Sequence, residues 1–304
     1  MPLVTSFSVV ICSYNYRAYV LEAVESALGQ RRAPKQVIVV DDGSTDGSAE
    51  LLAEHYGDDS RVTLVLQANG GQLRAMASGI AQASGDVVCM LDSDDYWTDD
   101  YLSQLGELYD SRPEVDFVFS DLQHIGQNTS VFRFAHAPVD LAYTAIATWY
   151  GGYWYGAPTS GLTFKTALGR RLTAVPEEYF ESWRLWADNV LIYGSSLLGA
   201  YKYFLPTGSI RYRVHGDNGW MRHHGPRRRF LNAFNNQRLF AHFGQQAGLG
   251  PRSVRLLKDE YLLKPLCSWK ETRRYARLAR AHGESLGRRL GWPLAMIARR
   301  WRKA

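Results

Sequence analysis

The segment CMLDSDDYW carries the densest chemistry in the chain. Asp92, Asp94 and Asp95 fall within four residues, directly after an apolar run. Carboxylates this close repel one another unless a cation sits among them. Oxygen donors suit Mg²⁺ or Mn²⁺, which keep some waters and share phosphate oxygens with a substrate. A solvated acidic turn is the simpler reading of the same residues. A second acidic segment is VIVVDDGSTDGS. Here Asp42 can accept a base N–H of a nucleotide, and Gly43 allows close backbone approach. The alternative is local: Ser44 or Asp46 caps a helix that starts at Ser48.

Both segments need a scaffold that delivers them to one place. Apolar runs at Phe7–Cys12, Gln36–Val40, Val62–Leu66, Val87–Leu91 and Asp116–Ser120 read as strands. Helical spacing occupies Ala18–Leu28, Ser48–Tyr56, Gln72–Ala83 and Asp100–Ser111. Strand–helix alternation with short connections predicts a mostly parallel sheet covered by helices on both faces. Ligands of such sheets bind beyond the carboxyl ends of the strands. Those ends read Cys12-Ser13-Tyr14-Asn15, Asp41-Asp42-Gly43-Ser44, the approach to Asn69-Gly70-Gly71, and Asp92-Ser93-Asp94-Asp95. All four are polar or acidic. Residues 122–215 are less regular and rich in Tyr, Trp and Gly, as in TWYGGYWYGAP. That composition fits either binding loops or an aromatic core. After Pro226 the chain turns helical, at Phe230–Phe243, Ser253–Leu263 and Trp269–His282.

The whole chain of 304 residues is 46% hydrophobic and 21% charged, which excludes a disordered or collagen-like protein. Its length suffices for a core without disulfides or metals. The three cysteines, Cys12, Cys89 and Cys267, are odd in number and read as thiols of a reducing compartment. The N-terminal apolar stretch lacks a preceding Lys or Arg, so no secretory signal is expected. No apolar run approaches the ~20 residues of a membrane span. A cytoplasmic protein is therefore expected. The net charge of +5 conceals a split: residues 1–220 balance to −11 and residues 221–304 to +16. The basic region points to an anionic partner surface.

Four motifs in order, PLVTSFSVVICSYNY, QVIVVDDGSTDGS, NGGQLRAMASGIAQASGDVVCMLDSDDYW and IRYRVHGDN, resemble the nucleotide-sugar glycosyltransferases of family 2. The resemblance spans about residues 5–218 and implies the GT-A fold. It divides the chain into a catalytic domain at 1–218 and a basic helical C-terminal region at 219–304. Within the first, 1–96 would bind the nucleotide and 97–218 the acceptor. It further implies that Ser13, Asn15 and Asp42 hold the nucleotide, most often uridine, with Tyr14 as a wall and Asn69, Ser93 and Arg213 nearby. Asp92 and Asp94 would contact ribose and Mg²⁺ or Mn²⁺, and His215 would close on the metal or diphosphate. An inverting transferase of this kind needs a base for the attacking hydroxyl. Asp188 fits its position, although Ala187 stands where the family pattern has Glu. Glu181 is the reserve, with Glu177 and Glu178 weaker, and an N-cap is the structural alternative for Asp188. Gly156-Ala157-Pro158-Thr159-Ser160-Gly161 resembles the loop near the transferred sugar. Met76-Ala77 stands where many members carry Arg-Asn, so Arg74 faces either the donor or solvent.

The implied activity is metal-dependent transfer from a nucleotide sugar, with UDP favoured, to a saccharide or lipid-linked saccharide, as in bacterial surface polysaccharide synthesis. A sugar nucleotidyltransferase would want a Gly-rich basic loop after the first strand, and SYNYRAY has no Gly. A non-catalytic nucleotide-sugar-binding module would have lost Asp92, Asp94, Asp188 or His215. Nucleic acid is not expected, since no zinc-finger or RNA-binding signature accompanies the basic charge. In the tail, Leu286, Leu290, Leu294, Ile297 and Trp301 form an apolar stripe. Arg288, Arg289, Arg299, Arg300, Arg302 and Lys303 supply charge. The pattern suits either an anionic membrane surface, with Trp292 and Trp301 at headgroup depth, or packing on the catalytic domain. Pro293 predicts two short helices there.

Overall fold

Continuous burial along FSVVICS leaves that strand no solvent face, so it must lie inside a sheet covered on both sides. The computed structural model, which describes residues 4–216 and 225–302, places it there. The first part runs β1 (Phe7–Ser13), α1 (Val20–Leu28), β2 (Gln36–Asp41), α2 (Ser48–Tyr56), β3 (Val62–Leu66), α3 (Gln72–Gln82) and β4 (Val87–Asp92). β1 pairs in parallel with β2 and β4, and β2 with β3. Apolar side chains spaced for one helix face, Val20, Ala23, Val24 and Ala27, hold α1 on this sheet. Gly79 of α3 leaves room for Val10 and Val40 beneath it.

The second part runs β5 (Tyr96–Trp97), α4 (Tyr101–Ser111), β6 (Phe117–Ser120), β7 (Leu122–Gly126), β8 (Val131–Phe132), β9 (Val139–Ala142) and α5 (Ala145–Gly151). It continues with β10 (Leu162–Lys165), α6 (Thr166–Thr173), α7 (Glu177–Ser182), α8 (Asp188–Leu197), β11 (Lys202–Leu205) and β12 (Ile210–Val214). The main sheet has eight strands in the order β3-β2-β1-β4-β10-β6-β11-β9. The expected parallel arrangement holds from β3 to β4 and again between β6 and β11. β10 runs antiparallel to both β4 and β6, and β9 antiparallel to β11. A smaller sheet, β5-β12-β7-β8, brings the Tyr-Arg segment of β12 beside the residues that follow β4.

Four further helices close the chain: α9 (Pro226–Gln246), α10 (Leu257–Leu263), α11 (Trp269–His282) and α12 (Leu286–Arg302). They are fastened to the sheet domain by buried polar groups. Glu260 of α10 accepts Ile146 N–H at 2.7 Å and Ala147 N–H at 3.0 Å, the free donors at the start of α5. It also accepts the Tyr275 hydroxyl at 2.6 Å. Glu271 accepts the Tyr155 hydroxyl at 2.5 Å, and Lys264 donates to the carbonyls of Leu141 and Tyr143. The expected boundary after residue 218 lies outside the described residues, as do Asp217, Asn218 and Lys303.

The two short helices expected around Pro293 are one continuous helix, α12. A proline inside a helix loses a hydrogen bond and costs about 3 kcal/mol. Here Pro293 itself is buried, and Met296 one turn on is 1% exposed. The two pack inward where α12 folds back on α11, which offsets that cost. Among the described residues no helix is long and apolar enough to cross a membrane.

Glu260→Ala orphans two buried N–H groups and the Tyr275 hydroxyl. Each unsatisfied group costs about 1–3 kcal/mol, so the denaturation midpoint should fall by an amount worth at least about 2 kcal/mol, with Glu260→Gln falling less. An unchanged midpoint for Glu260→Ala would mean that the terminal helices unfold apart from the sheet domain.

Candidate active site

The carboxyl ends of β1, β2 and β4 deliver their polar residues to one edge of the sheet, and each carboxylate there is handled differently. Asp95 is buried and engaged through both oxygens: Oδ2 accepts the Ser160 hydroxyl at 2.5 Å and Oδ1 the Arg213 N–H at 2.7 Å. Ser160 Oγ in turn accepts Asp92 N–H at 3.0 Å. Ser160 sits in a single 3-10 turn, Thr159–Gly161, within the loop expected near the transferred sugar. One carboxylate thus ties β4, that loop and β12 together. Burial raises the proton affinity of Asp95, and the Asp94 and Asp92 charges add to the effect.

Asp94 meets His215, whose Nε2 lies 3.0 Å from Asp94 Oδ2. The His215 ring stacks on Tyr19 at 5.3 Å and meets the edge of Tyr16 at 5.7 Å. Arg213 Nε donates to the Asp94 carbonyl at 3.0 Å, and its guanidinium pairs with Glu22 and lies 4.9 Å from the Tyr19 ring centre. A cavity of about 500 Å³ opens beside His215, between Asn15, Tyr16, Arg17, Tyr19 and Asp46.

Asp188 is the first residue of α8, not its cap: no side chain caps this helix, and Asp188 Oδ1 accepts the N–H of its neighbour Asn189 at 2.9 Å. Although 96 positions separate it in sequence from Asp92, its charge reaches that group. Burial pushes Asp92 well above the usual carboxylate range, and Asp94 and Asp188 push it further. Burial likewise raises Asp188 to about 6. Glu181 is elsewhere: it is exposed on α7 and lies 3.6 Å from Arg184. Glu177 and Glu178 are exposed on the same helix, and Arg74 pairs with Glu177.

The loop before Asp188 is held by residues that sequence reasoning did not single out. Gln72 Oε1 accepts Ala187 N–H at 3.0 Å, and Gln72 N–H donates to the Arg184 carbonyl at 3.0 Å. Leu73 N–H reaches the Trp183 carbonyl, and the Arg184 guanidinium bonds Asn69 Oδ1. The first donors of α3 are thereby spent on this loop. Gly71, at φ +87°, allows the contact, since a Cβ there would sit 2.7 Å from Arg184 Cα. Trp186 adopts φ +60°, a strained backbone for a bulky residue.

Asp42 sits behind this latch. Its Oδ1 accepts Gln67 Nε2 at 2.6 Å and Gly70 N–H at 2.8 Å, and its Oδ2 accepts Gly71 N–H at 2.8 Å. A carboxylate offers about four acceptor positions, so one remains for a ligand N–H. Gly43, at φ +76°, passes so close to Asn69 that a Cβ would lie 2.7 Å from its backbone nitrogen. Asn15 knits two loops, donating its N–H to Ser44 Oγ at 2.9 Å and accepting Thr45 N–H at 2.7 Å. Asp46 Oδ1 accepts Ser48 N–H at 3.0 Å, but Gly47 is the N-cap of α2 and no side chain caps it, so neither Ser44 nor Asp46 is the cap expected there. Tyr14 is exposed. Ser13 Oγ, Ser93 Oγ and Asp41 Oδ2 are buried without a hydrogen-bond partner among the described residues. Asp41, overlooked in the sequence, is paired in register with Ser13. Three orphaned polar atoms at the ends of three strands suit a polar ligand laid across this edge.

Mg²⁺ or Mn²⁺ fits the donor set. Among the described residues no group of three His, Cys, Asp or Glu side chains is placed to hold a metal ion by itself. Such ions are commonly held by one or two carboxylates together with phosphate oxygens and water, which Asp92 and Asp94, with His215 alongside, can provide.

Asp188 carries a stability cost that follows from its environment. Its folded-state affinity for a proton exceeds that of an unfolded Asp near 4, so stability is full below pH 4 and declines as pH rises toward 6. Asp188→Asn should therefore raise the melting temperature at pH 7.5, by an increment worth up to roughly 3 kcal/mol. That gain should vanish near pH 4. Thermal melts of both proteins across this range check it, and an equal shift at every pH would exclude the titration as its source.

Comparison with known proteins agrees with this architecture. The sequence model described as Glycosyl transferase family 2 matches residues 8–171. An uncharacterized glycosyltransferase of Nostoc sp. is 33% identical over 220 residues, 70% of this chain and 66% of that protein. TuaG of Bacillus subtilis, a glycosyltransferase named for teichuronic acid biosynthesis, is 37% identical over 144 residues, 47% of this chain and 56% of its own. The chain thus spans between about half and two thirds of the length of these curated relatives. Among solved structures, S. aureus TarS 1-349 in complex with UDP aligns at TM-score 0.56 and 19% identity, over 93% of this chain and 73% of that one. A longer TarS structure aligns at TM-score 0.58, over 98% and 54%. These two likenesses concern the fold, which is GT-A. The family's own sequence pattern covers more than half of the chain, from β1 through β4 to α6, and on that ground the chain belongs to glycosyl transferase family 2.

Proposed function

We propose that this chain transfers a sugar, with inversion, from a nucleotide-diphosphate sugar to a hydroxyl of a saccharide or lipid-linked saccharide. The observation that carries this reading is that Asp188, at the start of α8, stands near enough to Asp92, at the end of β4, for its charge to raise that group's affinity for a proton. One supplies a base at the cleft and the other belongs to the donor edge. Asp188, raised by burial toward neutrality, takes the proton from the acceptor hydroxyl. The oxygen then attacks the anomeric carbon on the face opposite the nucleotide, and the bond to the diphosphate breaks. Gln72, through Ala187, holds the base in place. Asp94, with Asp92 and His215, would hold Mg²⁺ or Mn²⁺, whose charge stabilises the leaving diphosphate.

Ser13, Asp41 and the remaining acceptor position of Asp42 face the nucleotide in this reading, with Tyr14, Asn15, Asn69, Ser93 and Arg213 around it. UDP is the favoured nucleotide, supported by the TarS structures that hold UDP and UDP-GlcNAc. The name of TuaG supports a polymer of the bacterial surface as the product. The protein would act in the cytoplasm, at the inner face of the membrane.

Two measurements test this. With Mn²⁺ present, UDP should raise the melting temperature more than ADP or CDP does, and a UDP-sugar panel should yield metal-stimulated transfer or donor hydrolysis that Asp94→Ala abolishes. Activity undiminished by EDTA would refute the metal assignment, and equal stabilisation by all nucleotides would refute the choice of base. Separately, Asp188→Asn should lower the turnover rate by about 10²–10⁴, and Gln72→Ala by roughly tenfold or more through misplacement of the base. Both variants should bind UDP as the parent does. A large loss in Glu181→Gln with little in Asp188→Asn would move the base to α7.

A further inference from the structure

The C-terminal hairpin offers a surface that the transfer reaction does not use. Three residues connect α11 to α12, and Trp301 near the end of α12 touches Trp269 at the start of α11, with ring centres 5.4 Å apart. The two helices therefore run antiparallel. Periodicity alone left open which way the apolar stripe of α12 points, and the structure divides it. Pro293 and Met296 turn inward, and Trp292 and Ile297 are half-buried. Leu286, Leu290, Leu294 and Trp301 turn outward, at 73%, 57%, 66% and 69% exposure. Leu262, Leu263 and Leu266, at the end of α10 and just beyond, are exposed as well. Leu266 lies close to Arg299 and Arg300 of α12, which extends the apolar surface toward Trp301.

The charge beside this stripe is equally one-sided. Lys270, Arg273, Arg277 and Arg280 recur at helical spacing along the exposed side of α11. Residues 221–304 hold 20 Lys and Arg against 4 Asp and Glu. A packing role for these cations against the acidic sheet domain would have turned them inward. We propose that the solvent face of the α11–α12 hairpin docks on an anionic lipid bilayer. Leu286, Leu290, Leu294 and Trp301 enter the headgroup–acyl boundary, and Lys270, Arg273, Arg277 and Arg280 meet lipid phosphates. An apolar stripe bordered by cations fits that boundary, where neither a neutral surface nor water alone matches both halves. Glu260, Glu271 and Lys264 fasten the hairpin to the sheet domain, so docking fixes the cleft relative to the membrane. The inference stands on this face alone and is independent of the donor, metal and base assignments.

The test is cosedimentation of the full chain with vesicles of phosphatidylglycerol and phosphatidylcholine, and with vesicles of phosphatidylcholine alone, at low and high salt. The parent should pellet with the anionic vesicles at least about tenfold more strongly than with neutral ones, and salt should weaken it. Leu290→Glu/Leu294→Glu should reduce binding at least about tenfold, and Arg273→Glu/Arg277→Glu should do the same on anionic vesicles. Both variants change exposed positions, and unchanged melting temperatures would show that they remain folded. The proposal is overturned if the parent stays in the supernatant with anionic vesicles at low salt. It is equally overturned if the leucine variant pellets like the parent, which would leave charge alone as the cause. Sedimentation velocity covers the remaining occupant: a dimer split by the leucine substitutions, with no vesicle binding, would assign the face to a second copy of this chain.

Discussion

Gathering like charges at one edge of a sheet is unfavourable, and most of the architecture around the cleft answers that constraint. Asp92 ends β4 and Asp94 and Asp95 follow it, Asp41 ends β2 and Asp42 follows it, and Asp188 lies at the start of α8. Burial without compensation would neutralise such groups or unfold the protein. Three of them draw partners from distant segments. Asp95 draws Ser160 and Arg213, 65 and 118 positions away. Asp94 draws His215, and Asp42 draws the turn at Gly70 and Gly71. Satisfying these carboxylates brings β12, the 3-10 turn and the α3 terminus to the cleft.

The division between satisfied and unsatisfied oxygens is also a division of labour. Asp95 and Asp42 engage the protein through both oxygens and act as clamps. Asp41 Oδ2, Ser13 Oγ and Ser93 Oγ have no hydrogen-bond partner among the described residues. A protein tolerates buried polar atoms without partners only at a cost of about 1–3 kcal/mol each, and that cost is recovered when a polar ligand supplies the missing bonds. Asp188 has the same logic in a titrating form. Its environment is poor for a fixed charge and suited to a group that must take up a proton. The strained backbone of Trp186 two residues earlier belongs to the same bargain between stability and readiness.

How much of this was legible in the sequence depended on distance along the chain. The helices and strands from β1 to β4 follow from local periodicity, and Ser48–Tyr56, Val62–Leu66 and Trp269–His282 have the expected bounds. The acidic segment after β4 was visible because a buried strand and a carboxylate cluster are adjacent. Ser160 was visible only as part of the loop near the transferred sugar and Gln72 not at all as a site residue, because their roles are defined by partners 65 and 115 positions away. Asp41 was overlooked for Asp42, although successive residues at a strand end point to opposite faces. β10 is four residues long, too short for periodicity to show that it reverses direction inside the sheet. Pro293 misled because a local rule was weighed without the burial that offsets it.

A region at −11 and a region at +16 could neutralise each other across a broad interface. The contacts that join them include buried, specific ones instead: Glu260 on two N–H groups, Tyr155 on Glu271 and Lys264 on two carbonyls, beside a shared apolar core that takes in Leu239, Phe243, Tyr261 and Met296. Surface ion pairs between long side chains contribute little, with a median near 0–1 kcal/mol, so diffuse pairing would hold the helices weakly. Directional bonds in a low-dielectric interior hold them better and leave Lys270, Arg273, Arg277 and Arg280 on the exposed side of α11. The excess positive charge on α11 is thus not consumed by stability. With the leucines of α12 beside it, it is available to a surface outside the molecule.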